Sequence, residues 1–478
     1  MYNKIVKIIV KGKIKLKKKH MIMIIILIIF IIWGIPTIIL FNIGKKNIRT
    51  NNFNTMKKNG IYNVSDLYKT VKKELIYQIN IESNIIYSNI LPVSITIENF
   101  DLSNTYEIKA YIDDKENIIE QINDKNKEIS IGLEEGKHNI KFEIYQNNEK
   151  VAENTMDIFC VIPYKKQFLD EYSNVGISTH YIKNYDDIGE SLELLKSLGV
   201  KSIRNSIKWS QINKNNQYNF ENIDYWMDKL KKEDIKVLAI LLDDTVDKIG
   251  NDYQISNENE FEGFSEYINQ VIEKYNNNIV GVEVWNEPNI KWTSDDAKMW
   301  YTRIVEATRK NTSKKVIAGS TATPYQTSKS EEYIKSISKL GSYSNSNAFS
   351  YHIYSHSNDM KWLKEKNASH KETANSLGGF QYLYITEYGV NDTNITSDKE
   401  KSQKIVKQTI NNISQGVHTE YLYNFIDDSE NVRYGLLTKE NTPKDSYFAM
   451  KNYLQNTNGA EYIGKLNLLE GLETHIYD

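Results

Sequence analysis

Ile279-Val280-Gly281-Val282-Glu283-Val284-Trp285-Asn286-Glu287-Pro288 decides how this chain reads, because an apolar run there ends in a carboxyl group where a strand opens into a loop. Tyr384-Ile385-Thr386-Glu387-Tyr388-Gly389 repeats the arrangement 100 positions after Glu287: a short β-rich strand, a glutamate at its C-terminal end, then a turn. Two carboxyl groups presented this way suit acid-assisted glycoside cleavage. One protonates the leaving oxygen, and the other attacks or stabilises the sugar carbon.

Outward from these two stretches, the rhythm from Asn174 onward is strand, helix, strand, helix. The expected strands are Val175–Thr179, Ser202–Ser206, Val237–Leu242, Val280–Trp285, Lys315–Ala318, Ala348–Ile353, Tyr382–Thr386 and Glu420–Phe425. Amphipathic stretches such as Ile188–Leu198 and Trp300–Lys310 separate them. Eight alternations predict an α/β fold, a (β/α)8 TIM barrel over residues 170–456, whose site is built at the C-terminal ends of its strands. Glu287 then lies on the fourth strand end and Glu387 on the seventh. An open doubly wound sheet is the rival, but no glycine-rich nucleotide fingerprint follows any strand.

Asn286-Glu287-Pro288 and Thr386-Glu387-Tyr388-Gly389 resemble the acid/base and nucleophile motifs of the clan A retaining glycoside hydrolases. Val282 to Asn289, with Phe349-Ser350-Tyr351-His352-Ile353-Tyr354 and Tyr434-Gly435-Leu436-Leu437, is most similar to family 39 and related bacterial exopolysaccharide hydrolases. The resemblance covers the barrel alone. It implies that Glu287 is the acid, its pKa raised by the neighbouring carboxylate or by apolar surroundings of which Trp285 and Pro288 supply part, and that Glu387 stays ionised beside Arg204. It further implies that Asn286 bonds the sugar 2-hydroxyl, that His352 and Tyr354 hold substrate and orient the nucleophile, and that the two carboxyl groups lie about 5 to 5.5 Å apart. Trp209 and Trp292 are expected to stack on sugar rings, His180 and Asp243 to touch glycan, and Trp300 to pack in the core. Clan members commonly bring a tryptophan from the eighth strand beneath the reacting sugar. Tyr421-Leu422-Tyr423-Asn424-Phe425 has none, and Tyr423 or Phe425 is expected in its place.

Before the barrel, residues 68–163 alternate apolar and polar positions at period two, as in Tyr106-Glu107-Ile108-Lys109-Ala110-Tyr111-Ile112, and predict an Ig-like β-sandwich acting as a spacer. Residues 44–67 read as a linker. The uncharged run Met21–Phe41 is as long as a bilayer core is thick, roughly 30 Å as a helix, so residues 21–43 are expected to form a transmembrane anchor contacting lipid. Eight lysines in residues 1–20 against Lys45, Lys46 and Arg49 behind the run place the N-terminus in the cytoplasm and the catalytic body outside the cell membrane. No A-x-A-type site follows, so the anchor is expected to be uncleaved. Residues 457–478 form a strand-like extension.

The chain's 478 residues, 40% hydrophobic, suffice for more than one domain. A net charge of −2 excludes a basic field for nucleic acid. Cys160 is the only cysteine, which rules out an intrachain disulfide and suits a Gram-positive surface protein. No ligand-spaced metal cluster or cofactor motif occurs. The expected function is therefore a membrane-anchored retaining glycosidase acting on a β-linked polysaccharide; the alternatives are a catalytically silent glycan-binding protein and an adhesin in which the sandwich acts.

Overall fold

The computed structural model describes residues 75–164, 173–181, 187–214, 217–243, 254–323, 329–354, 360–378, 382–392, 395–429, 431–469 and 472–477. The expected anchor at 21–43 and the linker at 44–67 lie outside the described residues. Among the described residues, no helix is long and apolar enough to cross a membrane.

The chain divides into an all-β unit and a β/α unit. In the first, Tyr77–Asn80, Ile90–Ile97 and Asn126–Gly132 form a three-stranded antiparallel sheet. A second sheet runs in the order Glu149–Cys160, Gly136–Gln146, Tyr106–Ile112, Lys115–Gln121, while the short strand Ile85–Ile86 pairs with Phe159 and Cys160, which fall in the second unit. Alternation decides which face is covered: Leu91, Val93, Ile95 and Ile97 are buried while the residues between them are not. Besides the two-residue Ile85–Ile86, two strands escaped the period-two reading. Lys115–Gln121 is exposed along nearly its whole length, so no apolar face marks it, and Glu149–Cys160 is polar over its first half. Both are reached through two-residue turns, Asp113-Asp114 and Asn147-Asn148, whose positive φ values (49° and 65°, 52° and 68°) suit tight hairpins and the residue types that tolerate that backbone.

The second unit holds a closed barrel of eight parallel strands. The strands are β1 (Val175–Ser178), β2 (Ser202–Lys208), β3 (Lys236–Leu242), β4 (Ile279–Val284), β5 (Lys315–Ala322), β6 (Ala348–Ile353), β7 (Tyr382–Tyr388) and β8 (Thr419–Leu422). Between and after them run α1 (Asp187–Leu198), α2 (Glu221–Lys232), α3 (Glu258–Tyr275), α4 (Asp295–Asn311), α5 (Lys329–Lys339), α6 (Met360–Ser376), α7 (Asp398–Ser414) and α8 (Asp445–Thr457). The strands are apolar runs rather than alternating ones because helices cover one face and the barrel interior the other; β3 is buried at every position after Lys236. Helix α3 shows the complementary pattern. Asn257 caps it by accepting from the Glu260 N–H at 3.1 Å, and Phe264, Tyr267, Ile268, Val271, Ile272 and Tyr275 make a buried stripe at helical spacing.

Two details place the site. Strand β8 ends at Leu422, three residues earlier than expected, so Tyr423 to Phe425 belong to the barrel mouth, and the Tyr423–Asn424 peptide is cis. At the opposite end the interior is tight: a Cβ on Gly176 would come within 2.3 Å of the Tyr421 ring and 2.8 Å of the Ser202 carbonyl oxygen. Gly176→Ala is expected to cost about 1–3 kcal/mol by overpacking, read as a lower denaturant midpoint at unchanged m-value. The chain ends in an antiparallel hairpin, Tyr462–Leu469 with Leu472–Tyr477.

Candidate active site

The end of β4 is folded so that its last polar residues turn inward. Trp285 (φ 65°) and Glu287 (φ 47°) both adopt the left-handed backbone, a conformation that nonglycine residues rarely take and that costs about 1–3 kcal/mol. The surroundings hold it. The Glu287 N–H donates to the Ser320 carbonyl at 2.8 Å, and Asn289 exchanges two bonds with Ala322 of β5, at 2.8 and 2.9 Å. Pro288 then opens a one-turn helix, Pro288–Lys291, at a position where its missing N–H costs nothing.

Arg204 of β2, 3% exposed, joins the two glutamate-bearing strands. Its Nη1 donates to Glu387 Oε1 at 2.5 Å, Nη2 to Asn286 Oδ1 at 2.8 Å, and Nε to Glu283 Oε2 at 2.5 Å. Glu283, completely buried, accepts a further bond from Ser350 Oγ at 3.0 Å. His352 pairs in register with Glu387 across β6 and β7. Its Nδ1 lies 2.9 Å from Glu287 Oε1 and 3.3 Å from Glu387 Oε2, while Nε2 faces Ser320 Oγ at 3.2 Å and the Arg204 guanidinium at 3.4 Å. A proton on Nδ1 fits this network, because carboxylates only accept and a guanidinium only donates. Tyr354 donates to Glu387 Oε2 at 2.8 Å.

A carboxylate oxygen of Glu287, one of Glu387 and a ring nitrogen of His352 lie within 4.8 Å of one another. These three could ligate a cation, but a metal would have to share the Glu387 oxygens with the guanidinium of Arg204 and the hydroxyl of Tyr354. At least one oxygen of each carboxyl group therefore lies within reach of the same small substrate group.

The two glutamates differ in setting. Burial alone would raise the Glu387 carboxyl, but the charges of His352 and Arg204 and the bonds from Tyr354 and Arg204 outweigh it and hold the group at about 2. Burial pulls His352 down, yet the charge of Glu387 and the bond and charge of Glu287 leave it raised overall. Glu287 is 28% exposed and lies against His352, so a polar ring and solvent share its surroundings with Trp285 and Pro288. Because the folded value of Glu387 lies below the unfolded one, about 4.3, its stabilisation is complete above that pH and is lost as pH falls towards 2. Unfolding free energy measured across this window is expected to fall in the wild type, with a shallower slope in Glu387→Gln.

Both glutamates, Asn286, Arg204, His180, Asp243 and Trp285 line one cavity of about 340 Å³ at the C-terminal mouth of the barrel. That size is at the small end for ligand clefts. Two expected sugar platforms are displaced. Trp292 reaches the cavity wall but is 0% exposed, its ring packed 4.6 Å from that of Trp285 and 6.1 Å from that of Tyr301, so it offers no face to a sugar. Trp209 begins a one-turn helix and packs on Phe264 and Tyr267 of α3 instead of entering the cavity. Strand-end position alone did not reveal that α3 would pack on Trp209 and Tyr301 of α4 on Trp292. Trp300 lies against Phe261 and Arg303. Of the two candidates for the missing tryptophan, Phe425 is buried, whereas Tyr423 is partly exposed beside Tyr354 and Tyr434.

The residue that sequence reasoning passed over is Glu283. Its signal was present, a charge inside an otherwise apolar strand four residues before Glu287, but its partner Arg204 is 79 positions away. Asp428, which accepts from Tyr423 at 2.7 Å, gave no such signal.

Residues 164–421, more than half of the chain, match the family described as cellulase, glycosyl hydrolase family 5. No curated protein matches the sequence. Among solved structures, the chain is similar to a family 39 glycoside hydrolase from Bacteroides cellulosilyticus WH2, with a TM-score of 0.62 at 16% identity over 88% of this chain and 84% of that one. It also aligns with the exo-β-1,4-mannosidase Op5Man5 from Opitutaceae bacterium strain TAV5, with a TM-score of 0.48 at 12% identity over 60% of each chain. The first likeness bears on the fold; the family match bears on the chemistry. The motifs that resemble family 39 thus sit in a chain that matches family 5, within the same clan. Given this match and a carboxyl pair at the mouth of a closed barrel, the chain belongs to the cellulase family, glycosyl hydrolase family 5, and is a glycoside hydrolase.

Proposed function

We propose that this protein cleaves a β-linked polysaccharide by double displacement, with Glu387 as nucleophile and Glu287 as acid and then base. The observation that supports the assignment is the asymmetry of the pair. Glu387 receives hydrogen bonds from Arg204 and Tyr354, which keep it ionised, whereas Glu287 stands more exposed and has its proton path to solvent. In the first step Glu387 attacks the anomeric carbon while Glu287 gives its proton to the departing oxygen. In the second, Glu287 takes a proton from water, whose oxygen displaces Glu387. Asn286, fixed by Arg204 at 2.8 Å, is placed to bond the sugar 2-hydroxyl, a contact that strengthens as the anomeric carbon becomes cationic. His352 is a positioning residue between the two carboxyls.

Proton NMR of the first-formed product, before mutarotation, tests the stereochemistry. The β-anomer is expected from a β-linked substrate, and the α-anomer would exclude the covalent route.

The proposal extends to location. Residues 21–43 would anchor the chain in the cell membrane, with the lysine excess of residues 1–20 cytoplasmic, residues 44–67 as a stalk, and the all-β unit as an Ig-like spacer that holds the barrel away from the surface. What supports this is the uncharged Met21–Phe41 run and the lysine asymmetry around it. Protease added to intact cells should digest the barrel while sparing residues 1–20; protection of the barrel would reject the orientation.

A further inference from the structure

The cavity holding Glu287 and Glu387 has a neighbour. A second one, of about 570 Å³, shares Ser178, Thr179 and His180 with it and continues to Tyr423, Asn424, Asp428 and Lys439. Nothing in the two-carboxylate mechanism uses this lobe. Its polar centre is Asp428, 29% exposed and held by three groups: Tyr423 donates to Oδ2 at 2.7 Å, Asn424 Nδ2 donates to Oδ1 at 3.1 Å, and His180 Nε2 stands 3.5 Å from Oδ1. Tyr423 is fixed in turn, because the rings of Tyr354, Tyr434 and His180 meet it edge-on at 6.2, 5.5 and 5.6 Å. A carboxylate oriented in this way, with solvent-facing acceptor capacity left, is built to receive hydrogen-bond donors.

We propose that this lobe is a separate sugar subsite, selective for a residue that presents hydroxyl or amino donors to Asp428 and unfavourable to a uronate. The assignment rests on the glycosidase reading for its direction. The acid must stand beside the leaving oxygen, so the leaving part of the substrate departs on the Glu287 side. The part that stays joined to Glu387 lies towards Tyr354, Tyr423 and Asp428, the β8 and β1 side of the mouth. Its hydroxyls, or an ammonium group, complete the Asp428 shell, whereas the carboxylate of a uronate would meet a like charge there. Lys439, an exposed residue, also lines the lobe, and the uronic set in the test measures its pull on a carboxylate against the repulsion from Asp428.

The test is calorimetric binding to Glu387→Gln, which removes turnover, with three sets of β-linked oligosaccharides whose non-reducing units are neutral, amino or uronic sugars. Neutral or amino ends are expected to bind at least about 10-fold more tightly than uronic ends. Adding Asp428→Asn should weaken neutral or amino binding by about 10-fold and narrow the difference from the uronic set. Preference for amino over neutral ends, lost in Asp428→Asn, would name the ammonium as the donor; equal affinity would name the hydroxyls. His180→Ala, at an exposed position, serves as the second variant, and is expected to weaken the same sets without changing the thermal midpoint. Equal binding of uronic ends, unchanged affinity in Asp428→Asn, or no binding by any set overturns the subsite. A wild type that binds these sugars selectively but cleaves none of them would instead overturn the glycosidase mechanism and leave the subsite standing.

Discussion

Glu387→Ala is expected to lower kcat on a polysaccharide substrate by on the order of 10⁵-fold, because the covalent step loses its nucleophile and no neighbouring group can take over. Glu287 cannot replace it: it follows the end of β4, across the cleft from the face that Glu387 addresses through β7. Azide separates this outcome from simple loss of structure. The space left by the side chain, beside Arg204 and Tyr354, admits a small anion, which attacks the anomeric carbon once as the leaving oxygen takes the Glu287 proton. One displacement inverts the centre, so a β-linked substrate should yield an α-glycosyl azide. An azide adduct of retained configuration would assign Glu387 the acid/base role, and full residual activity would remove it from the mechanism.

Arg204→Met is expected to destabilise the barrel by about 3–5 kcal/mol, the usual consequence of removing one partner from a buried ion pair. The reason is specific. Glu283 is completely buried and Glu387 nearly so, and both direct an oxygen at the guanidinium at 2.5 Å. Without it, two carboxylates withdrawn from water lose the cation that both address. Arg204→Lys should recover little, since one ammonium cannot donate in three directions to Glu283, Glu387 and Asn286 at once. Arg204→Met combined with Glu283→Gln should recover part of the loss, because one of the stranded charges is gone. Equilibrium denaturation of these proteins and of Glu283→Gln alone measures this, and additive losses in the double variant would show that the pair does not act as a unit.

The same network explains how a mostly apolar barrel tolerates polar groups inside. Glu283, Ser350, Ser320, His352 and Arg204 satisfy one another through short bonds, so the floor of the cleft is rigid before any sugar arrives. Preorganisation of this kind is what lets hydrogen-bond donors stabilise developing charge without reorientation.

Much of the fold was legible because its signals are local. Strands buried on both faces must be continuously apolar, and amphipathic helices must repeat near 3.6 residues, so the eight alternations and their order could be counted from Asn174 onward. The two glutamates were legible for the same reason, each marked by a short strand ahead of it and a turn behind. What the chain could not announce was which side chains those strand ends bring together. Trp209 and Trp292 look like platforms in one dimension, and only the docking of α3 and α4 against the barrel turns the first onto Phe264 and Tyr267 and buries the second. Glu283 and Arg204 read as two isolated charges until barrel closure sets β2 and β4 either side of β3 with both residues facing inward. Asp428 acquires its meaning from Tyr423 and His180, the last of these 248 positions earlier and adjacent only because β8 pairs with β1. Sequence by itself determined the barrel strands, their count and the identity of the two carboxyl groups, since each depends on neighbours in the chain; tertiary structure alone decided the ionisation of Glu387, the approach of the pair and the shape of the cleft, since burial and electrostatic contact act through space.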